Sequence, residues 1–489
     1  MDSSAYAQTP AAGLTNVHNV ALHDAIISWE STSGATDLVK IEELLFILDL
    51  SALKHKSGYI LFCLKEHVDN RDDPFSFVGL STDKIPKELH AHLIDRLPEY
   101  VVPTDENAVD VIVSTKSGIN QSLAFWQTVL QPVWDILERE LASSDSPAPL
   151  PSSKATRNIL ITQDARSVRE FARRLSTSGG VSSSHSSRTI VLLSGDGGVV
   201  DLLNEGVADA PHEQQLLLAL LPLGTGNALF HSLHKPVWTE EHNPSPLVLG
   251  LRTLFAGAKA QLPVFRATFS EGSHIVKYTA EGDALARRDV AVEKLYGAVV
   301  ASYGFHASIV YESDTPEYRV HGAKRFGMAA QELLRLSHSY RGSVQVRPPG
   351  GEEGALFEPI AGDEHLYVLV TPLSNLERTF TISPASRPLD GKLRLVHFGN
   401  VGGQRAMDVM MKAYDGGKHV GMKWDDGHEV RYEEIEEIRV TTAEEDERWR
   451  MICIDGTIVE LPKGGQVSVS KEKRDIFKVL VDSRVLPGQ

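Results

Sequence analysis

The sequence is short of several things, and each shortage closes off a class of protein. Its 489 residues include two cysteines, Cys63 and Cys453, far apart in the chain. That argues against a disulfide framework and suits a reducing compartment. Basic charge is scarce: 49 Lys and Arg stand against 65 Asp and Glu, a net charge of −16. No basic footprint for nucleic acid is left. Anionic lipid repels such a protein on average, so any membrane contact needs a local patch. Long apolar runs are missing. The longest, near residues 216–223, is far short of the roughly 20 residues that a spanning helix needs. Met1-Asp2-Ser3-Ser4 has no basic n-region, so no signal peptide is expected. No lipidation motif and no internal repeat is visible. There is no G-x-x-x-x-G-K-S/T loop of a P-loop ATPase and no H-R-D or D-F-G set of a protein kinase. What remains, 42% apolar and 23% charged, is an ordinary globular composition. The chain is long enough for two or three domains and is expected to be soluble and intracellular.

One stretch organises the rest. Thr189-Ile190-Val191-Leu192-Leu193 is short, β-branched and apolar, and reads as a buried parallel strand. Val199-Val200-Asp201-Leu202-Leu203-Asn204 reads as the first turns of a helix. Between them lies Ser194-Gly195-Asp196-Gly197-Gly198. An Asp between glycines therefore sits where a strand hands over to a helix, and open α/β sheets bind ligands at the carboxyl ends of their strands. The glycines let a ligand approach the backbone, and the helix start offers unpaired N–H groups to an anion. Asp196 is the one group there that takes a proton. The pattern then recurs. Residues 216–221 are apolar, and Pro222-Leu223-Gly224-Thr225-Gly226-Asn227-Ala228-Leu229 supplies a second glycine-rich loop and helix start. Either loop alone is an ordinary turn. Two of them, each flanked by strand and helix, are hard to ascribe to chance.

The pair resembles the core of the diacylglycerol kinase and sphingosine kinase family of lipid kinases. In that family a G/S-G-D-G loop carries the catalytic Asp, and a P-x-G-S/T-G-N loop comes after it. The Ser194 form of the first loop looks more like the sphingolipid branch. The resemblance implies an α/β plus β fold. A Rossmann-like kinase domain with a parallel sheet is expected over residues 106–258, and an antiparallel β-sandwich domain that takes the lipid over 259–489. ATP is then expected in the cleft between them. Residues 1–16 read as a disordered tail. Strand-like runs at 25–29, 44–48 and 59–64, then helical spacing over 87–97, suggest a small β-domain at 17–105 closed by a helix. It is similar to the pleckstrin-homology-like module that ceramide kinases and related lipid kinases carry in this place.

Residues 109–113 read as the strand that opens the kinase domain. There the family has an Asn-Pro-x-Gly/Ser-Gly loop that touches nucleotide phosphates. This chain keeps Lys116, Ser117 and Gly118 but has Ser114 for Asn and Thr115 for Pro. Leu123, Trp126, Leu130, Val133, Trp134 and Leu137 form a helical stripe that faces a core. Residues 142–154, rich in Ser and Pro, read as a solvated insertion. Residues 158–162 read as a strand that ends on Thr162, where the family has a Thr facing the nucleotide. Next come an Arg-bearing helix over 165–175 and a flexible loop over 176–188. Residues 238–246 are a second insertion, with a short helix over 247–255.

Beyond that the sequence turns to strands, at 262–269, 275–280, 294–302, 343–346, 365–371 and 392–398. Tyr303-Gly304-Phe305-His306-Ala307-Ser308-Ile309-Val310-Tyr311-Glu312-Ser313 resembles the family's W-G-F-x-A-D-x-D-x-E-S stretch, and Arg319 and Arg325 resemble the Arg pair after it. A guanidinium fork suits phosphate oxygens. Ser308 and Val310 stand where the family holds acidic residues, one of which meets the lipid's polar head. That weakens a sphingoid amine as substrate and leaves room for a neutral lipid. Arg405-Ala406-Met407, Gly417-Lys418-His419 and Asp455-Gly456-Thr457 keep the family's order. The family ends this stretch D-G-E, near the nucleotide and metal; Thr457 replaces the Glu, and Glu460 is a neighbour able to substitute. The acidic runs at 433–437 and 444–447 read as solvated faces.

The resemblance therefore implies an ATP-dependent, Mg²⁺-dependent kinase that phosphorylates the primary hydroxyl of a sphingoid long-chain base. Asp196 is expected as general base. Ser114, Lys116, Ser117, Gly118, Gly224, Thr225 and Gly226 are expected around the phosphates, with Thr162, Ser194, Gly195, Gly197, Asp201, Asn227, Asp455 and Gly456 beside the nucleotide. Arg319 and Arg325 are expected to steady the transferring charge. The metal's ligands are not assigned. Ceramide or diacylglycerol phosphorylation on the same scaffold is the near alternative, and NAD kinase, which shares a G-G-D-G loop, a distant one. A non-catalytic lipid- or nucleotide-binding regulator is the rival from another class, supported by the departures at Ser114, Val310 and Thr457. The expected setting is cytoplasmic with peripheral membrane association, a lipid partner and no nucleic acid, with a homodimer left open.

Overall fold

The computed structural model describes residues 13–486, apart from 33, 53–55, 143–155, 179–184, 210–213, 240–242, 282–283, 322–323 and 351–355. Most of the expected tail and nearly all of the Ser/Pro-rich insertion lie outside the described residues, as do the centres of the 176–188 loop and the 238–246 insertion.

Three sheets form in succession. The first has seven strands, from Thr15–His23 to Leu93–Ile94. The helix expected over 87–97 does not form. Lys87–His92 is a short 3₁₀ turn, and Leu93 and Ile94 pair in parallel with Ile47 and Leu48. Pro86 and Pro98 bracket the segment, and strand pairing draws it out. This unit shares a core with the next one along the chain. Phe46 stacks on Phe62 at 4.6 Å and meets Phe255 of the Pro246–Ala256 helix at 4.9 Å. Arg252 donates to Leu44 O and Ile41 O, both at 2.8 Å, and the Lys56 ammonium bonds Glu140 Oε2 at 3.0 Å. Burying each such ring contributes about 1.5–3 kcal/mol.

The second sheet holds the glycine loops. Its strand order is Ala258–Gln261, Lys478–Val481, Gln215–Pro222, Ser187–Ser194, Asn107–Val113, Asn158–Ile161. All its pairs are parallel except the one between the first two. The Lys478–Val481 strand comes from the far end of the chain, so the second half contributes a strand to the first. The chain runs from Asn107–Val113 out to Asn158–Ile161, then returns to Ser187–Ser194 on the other side. That reversal is the topological switch point, where open α/β sheets bind ligands. The register aligns the strand ends: Leu193 sits beside Val113 and Leu221, and Val113 beside Ile161. Three loops, 114–118, 194–198 and 223–227, therefore emerge side by side. The stripe helix also forms, as Ser122–Phe125 and Gln131–Ala142 joined by a π-helical turn at Trp126–Leu130. Pro132 lacks the N–H and crowds the preceding turn, which accounts for the widening.

The third sheet has fourteen strands, all paired antiparallel. The sandwich of separate sheets expected from the sequence is instead one continuous sheet curled on itself. Tyr303, Val368 and Val370 meet Ile438, Val440, Val467 and Val469 around an apolar cavity of about 20 Å³. The helices Phe305–Ser313, Arg325–Leu336 and Gly403–Tyr414 pack together outside it. Among the described residues no helix is long and apolar enough to cross a membrane.

Candidate active site

Asp196 opens the Asp196–Asn204 helix, with Gly195 at the extended cap position. Its carboxylate accepts from two amides of the second loop: Oδ2 from Ala228 N at 2.8 Å and Oδ1 from Leu229 N at 3.0 Å. The acid of the first loop thus caps the helix that begins after the second. Burial raises its affinity for a proton, and the amides of Leu229 and Ala228 pull it back only in part.

Three glycines explain how the loops come so close. A methyl on Gly224 would lie 2.3 Å from Gly195 Cα, and one on Gly195 would lie 2.8 Å from Gly224 Cα. Gly118 has φ +55°, and a methyl there would lie 2.5 Å from Leu223 O. All three contacts are with backbone, which cannot yield. Gly197 differs: it is exposed, and a methyl there would meet nothing within 4 Å. Side chains finish the joints. Ser117 Oγ accepts from Gly195 N at 2.9 Å. Asn227 takes the left-handed conformation at φ 49°, accepts from Gly224 N at 2.9 Å and donates to Gly224 O at 3.0 Å. Leu223 N donates to Ser194 O, and Ser114 N to Leu193 O. The backbone N–H groups of Lys116, Gly118, Thr225 and Gly226 have no acceptor among the described residues, and Thr225 and Lys116 are exposed. Together they leave a cradle of free donors along the switch point.

Thr162 is buried and turned toward loop 114–118. Its Oγ1 accepts from Thr115 N at 3.0 Å, and its carbonyl accepts from Thr115 Oγ1 at 2.9 Å. Asp201 pairs with Arg169 at 2.7 Å; burial raises its proton affinity, against the pull of that guanidinium. Asp455 and Gly456, both at positive φ, are the two central residues of a hairpin between Met451–Ile454 and Thr457–Glu460, where the primed turn requires that conformation. Asp455 accepts from Ala298 N at 2.6 Å, Val299 N at 3.0 Å and Val300 N at 2.6 Å. Burial pushes this carboxyl up to about 7 despite those three amides, and the nearby charge of Asp196 adds to the rise. Residues from distant parts of the sequence therefore share one acidic neighbourhood. Glu460, the neighbour of the departure at Thr457, is buried and bound by Arg287, with Arg450 at 3.4 Å.

The arginines lie on the second half. Arg319 grips Asp314 through two bonds, at 2.7 and 3.1 Å, and Arg325 approaches the same carboxylate at 3.8 Å. Ser308 is buried and accepts from Tyr340 OH at 2.8 Å. Val310 packs into an apolar cluster of Val276, Ala307, Met451, Cys453 and Ile458. Among the described residues no three His, Cys, Asp or Glu side chains gather as a metal site. The free amides suit nucleotide phosphates. For Mg²⁺ the donors on hand are few, since Asp196 and Asp455 already accept amide hydrogens, so phosphate oxygens and water would have to complete its octahedron.

Two features escaped sequence reasoning. Asn204 accepts from Tyr296 N at 2.8 Å and donates to Tyr296 O at 2.9 Å, which fastens the curled sheet to the Asp196 helix. An Asn at the end of a helical run gives no hint of a partner 92 residues away. Arg169 is legible only as one Arg of a charged helix.

An acid thus stands on a glycine turn at the switch point of a parallel sheet, beside a row of free amides, an arrangement able to hold phosphate oxygens. Residues 143–254 match the family model described as the diacylglycerol kinase catalytic domain, a span that contains both central loops. The match is confined to that stretch of the chain. Among solved structures, a diacylglycerol kinase from Bacillus anthracis str. Sterne is similar at 14% identity and a TM-score of 0.45, over 78% of this chain and 98% of that one. Two further structures from the same strain match over the same shares, at 15% and 16% identity and TM-scores of 0.46 and 0.45. A search of curated proteins finds no match.

Proposed function

We propose that the protein transfers the γ-phosphoryl group of ATP to the primary hydroxyl of a lipid, with Asp196 as general base. The observation that carries this reading is the position of Asp196: a half-buried carboxylate of raised proton affinity, held between the two glycine loops and next to unpartnered amides. The amides of Lys116, Gly118, Thr225 and Gly226 cradle the phosphates. Gly197, whose hydrogen faces open space, lets the acceptor or the phosphate approach the backbone. Asp196 accepts the hydroxyl proton as that oxygen attacks phosphorus, late in a loose, metaphosphate-like transfer. Arg319 and Arg325 steady the charge on the transferring oxygens, moving from Asp314 to do so. Mg²⁺, when bound, neutralises phosphate charge and orients the γ-group.

The second half supports a lipid acceptor. Met407, Met411 and Tyr414 are 38%, 58% and 46% exposed on the Gly403–Tyr414 helix. Their i, i+4, i+7 spacing gathers them on one face, an apolar stripe suited to alkyl chains. The resemblance to the sphingolipid branch favours a sphingoid base. One observation favours a second reading, a neutral acceptor such as ceramide or diacylglycerol. Ser308 is tied to Tyr340, and Val310 lies in an apolar cluster, so neither place offers a carboxylate to an ammonium group.

The test is radiolabelled phosphate transfer from ATP to sphingosine, dihydrosphingosine, phytosphingosine, ceramide and diacylglycerol. Label on a sphingoid base supports the first acceptor class, and label confined to ceramide or diacylglycerol the second. A folded protein that labels none of them refutes the kinase reading.

A further inference from the structure

We propose that a two-way clasp between Thr115 and Thr162 sets the orientation of the phosphate-facing loop, which makes Thr162 a positioning residue for the nucleotide. The inference rests on the nucleotide-binding reading above. Thr115 donates twice to one residue, from its amide to Thr162 Oγ1 at 3.0 Å and from its hydroxyl to Thr162 O at 2.9 Å. Thr162 is itself fixed, 5% exposed and with its amide on Val113 O at 3.0 Å. Both its hydroxyl and carbonyl oxygens accept from Thr115, and at so little exposure its influence on a ligand passes through that residue.

The rest of the loop is fastened in a different direction. Ser114 N, Ser117 Oγ and Gly118 all abut Leu193, Gly195 and Leu223, on the side of the central strands. Only the threonine clasp, among the described contacts, ties the loop to the Asn158–Ile161 edge. The peptide between Thr115 and Lys116 lies between these two sets of anchors, and its N–H is one of the free donors of the cradle. With Thr115 held at both amide and hydroxyl, that N–H has one direction. A proline at position 115 would stiffen such a loop through its ring; here two hydrogen bonds supply the stiffness instead.

The test uses the full chain and the variants Thr162→Val and Thr162→Ser. Valine keeps the shape but removes the acceptor and leaves the Thr115 amide unpaired; serine keeps the hydroxyl. Three quantities are read: hydrogen exchange at the Thr115 amide, Kd for MgATP by calorimetry, and the thermal midpoint. Loss of one such bond is expected to weaken MgATP binding about tenfold in Thr162→Val. Exchange at Thr115 should accelerate to a similar degree, and Thr162→Ser should stay within about twofold of the parent on both. KM for the lipid should not move. If Thr162→Val speeds exchange but binds MgATP as the parent does, the positioning role is refuted. If the thermal midpoint and MgATP affinity fall together in both variants, the clasp is a fold contact only, and the proposal is overturned. A parent that binds no MgATP would instead refute the nucleotide-binding reading itself, a result separable from the first two.

Discussion

Replacing Asp196 by Asn tests both the chemistry and the architecture, because this carboxylate has two jobs. As a base it should be worth about 10²–10⁴ in rate. As a cap it accepts from Ala228 N and Leu229 N, one on each oxygen. Asparagine offers one oxygen and one NH₂, so one of those two amides must face a donor. An unpaired donor at this depth costs about 1–3 kcal/mol. Removing a partly desolvated charge offsets part of that, since desolvation already raises the proton affinity of Asp196. The net expectation is a modest loss, a fall of a few °C in the thermal midpoint at about 2–4 °C per kcal/mol for units of this size. The two effects are separated by measuring phosphate transfer at a temperature where the variant is fully folded by circular dichroism. Transfer should then be down by at least about a hundredfold. Transfer within about tenfold of the parent would refute the base assignment. An unchanged midpoint would refute the capping geometry, whatever the activity.

Gly224 and Gly197 should behave in opposite ways. Gly224→Ala drives a methyl to 2.3 Å from Gly195 Cα, so unfolding measurements should show a loss of several kcal/mol. Gly197→Ala meets nothing within 4 Å and should leave stability within about 0.5 kcal/mol, while phosphate transfer falls, because the space it fills is the ligand's. Equal stability for the two variants would contradict the loop contact. Arg319→Lys keeps the charge and loses the fork, so kcat should drop by about 10²–10³; unaltered kcat would remove Arg319 from the transferring phosphate. Acid should destabilise the protein from near pH 6.5 downward. Burial lowers His234 and His306 to about 4 and His397 to about 3, below the ordinary value of 6.5. Each binds its proton more readily when unfolded, so stability present above pH 6.5 is lost as pH falls, at up to roughly 1.4 kcal/mol per unit per group until the folded values are reached. Asp455, raised to about 7, works the other way and softens the slope. A thermal midpoint that is flat between about pH 7 and pH 5 would show that these imidazoles take up protons in the fold as readily as in the unfolded chain.

The sequence by itself determined the parts of this protein that are written locally. A β-branched apolar run, glycines at a turn and a helical stripe after them are short-range signals, and they located both central loops, Asp196 within the first and the switch from α/β to β. The stripe of Trp126, Val133, Trp134 and Leu137 also shows in the spacing alone, and all four are buried. What needed the tertiary structure were pairings over long separation, where no local pattern records the partner. The C-terminal strand Lys478–Val481 enters the parallel sheet beside Gln215–Pro222, and Asp455 comes to rest near Asp196. Helical spacing over 87–97 was overruled by two prolines and a strand partner, since pairing decides a segment whose own propensity is weak. Thr162, placed by sequence at the strand end, was given its partner Thr115 only by the fold. Spacing says which residues stand at the ends of strands; the packing of three loops, glycine against glycine, decides which way each one points.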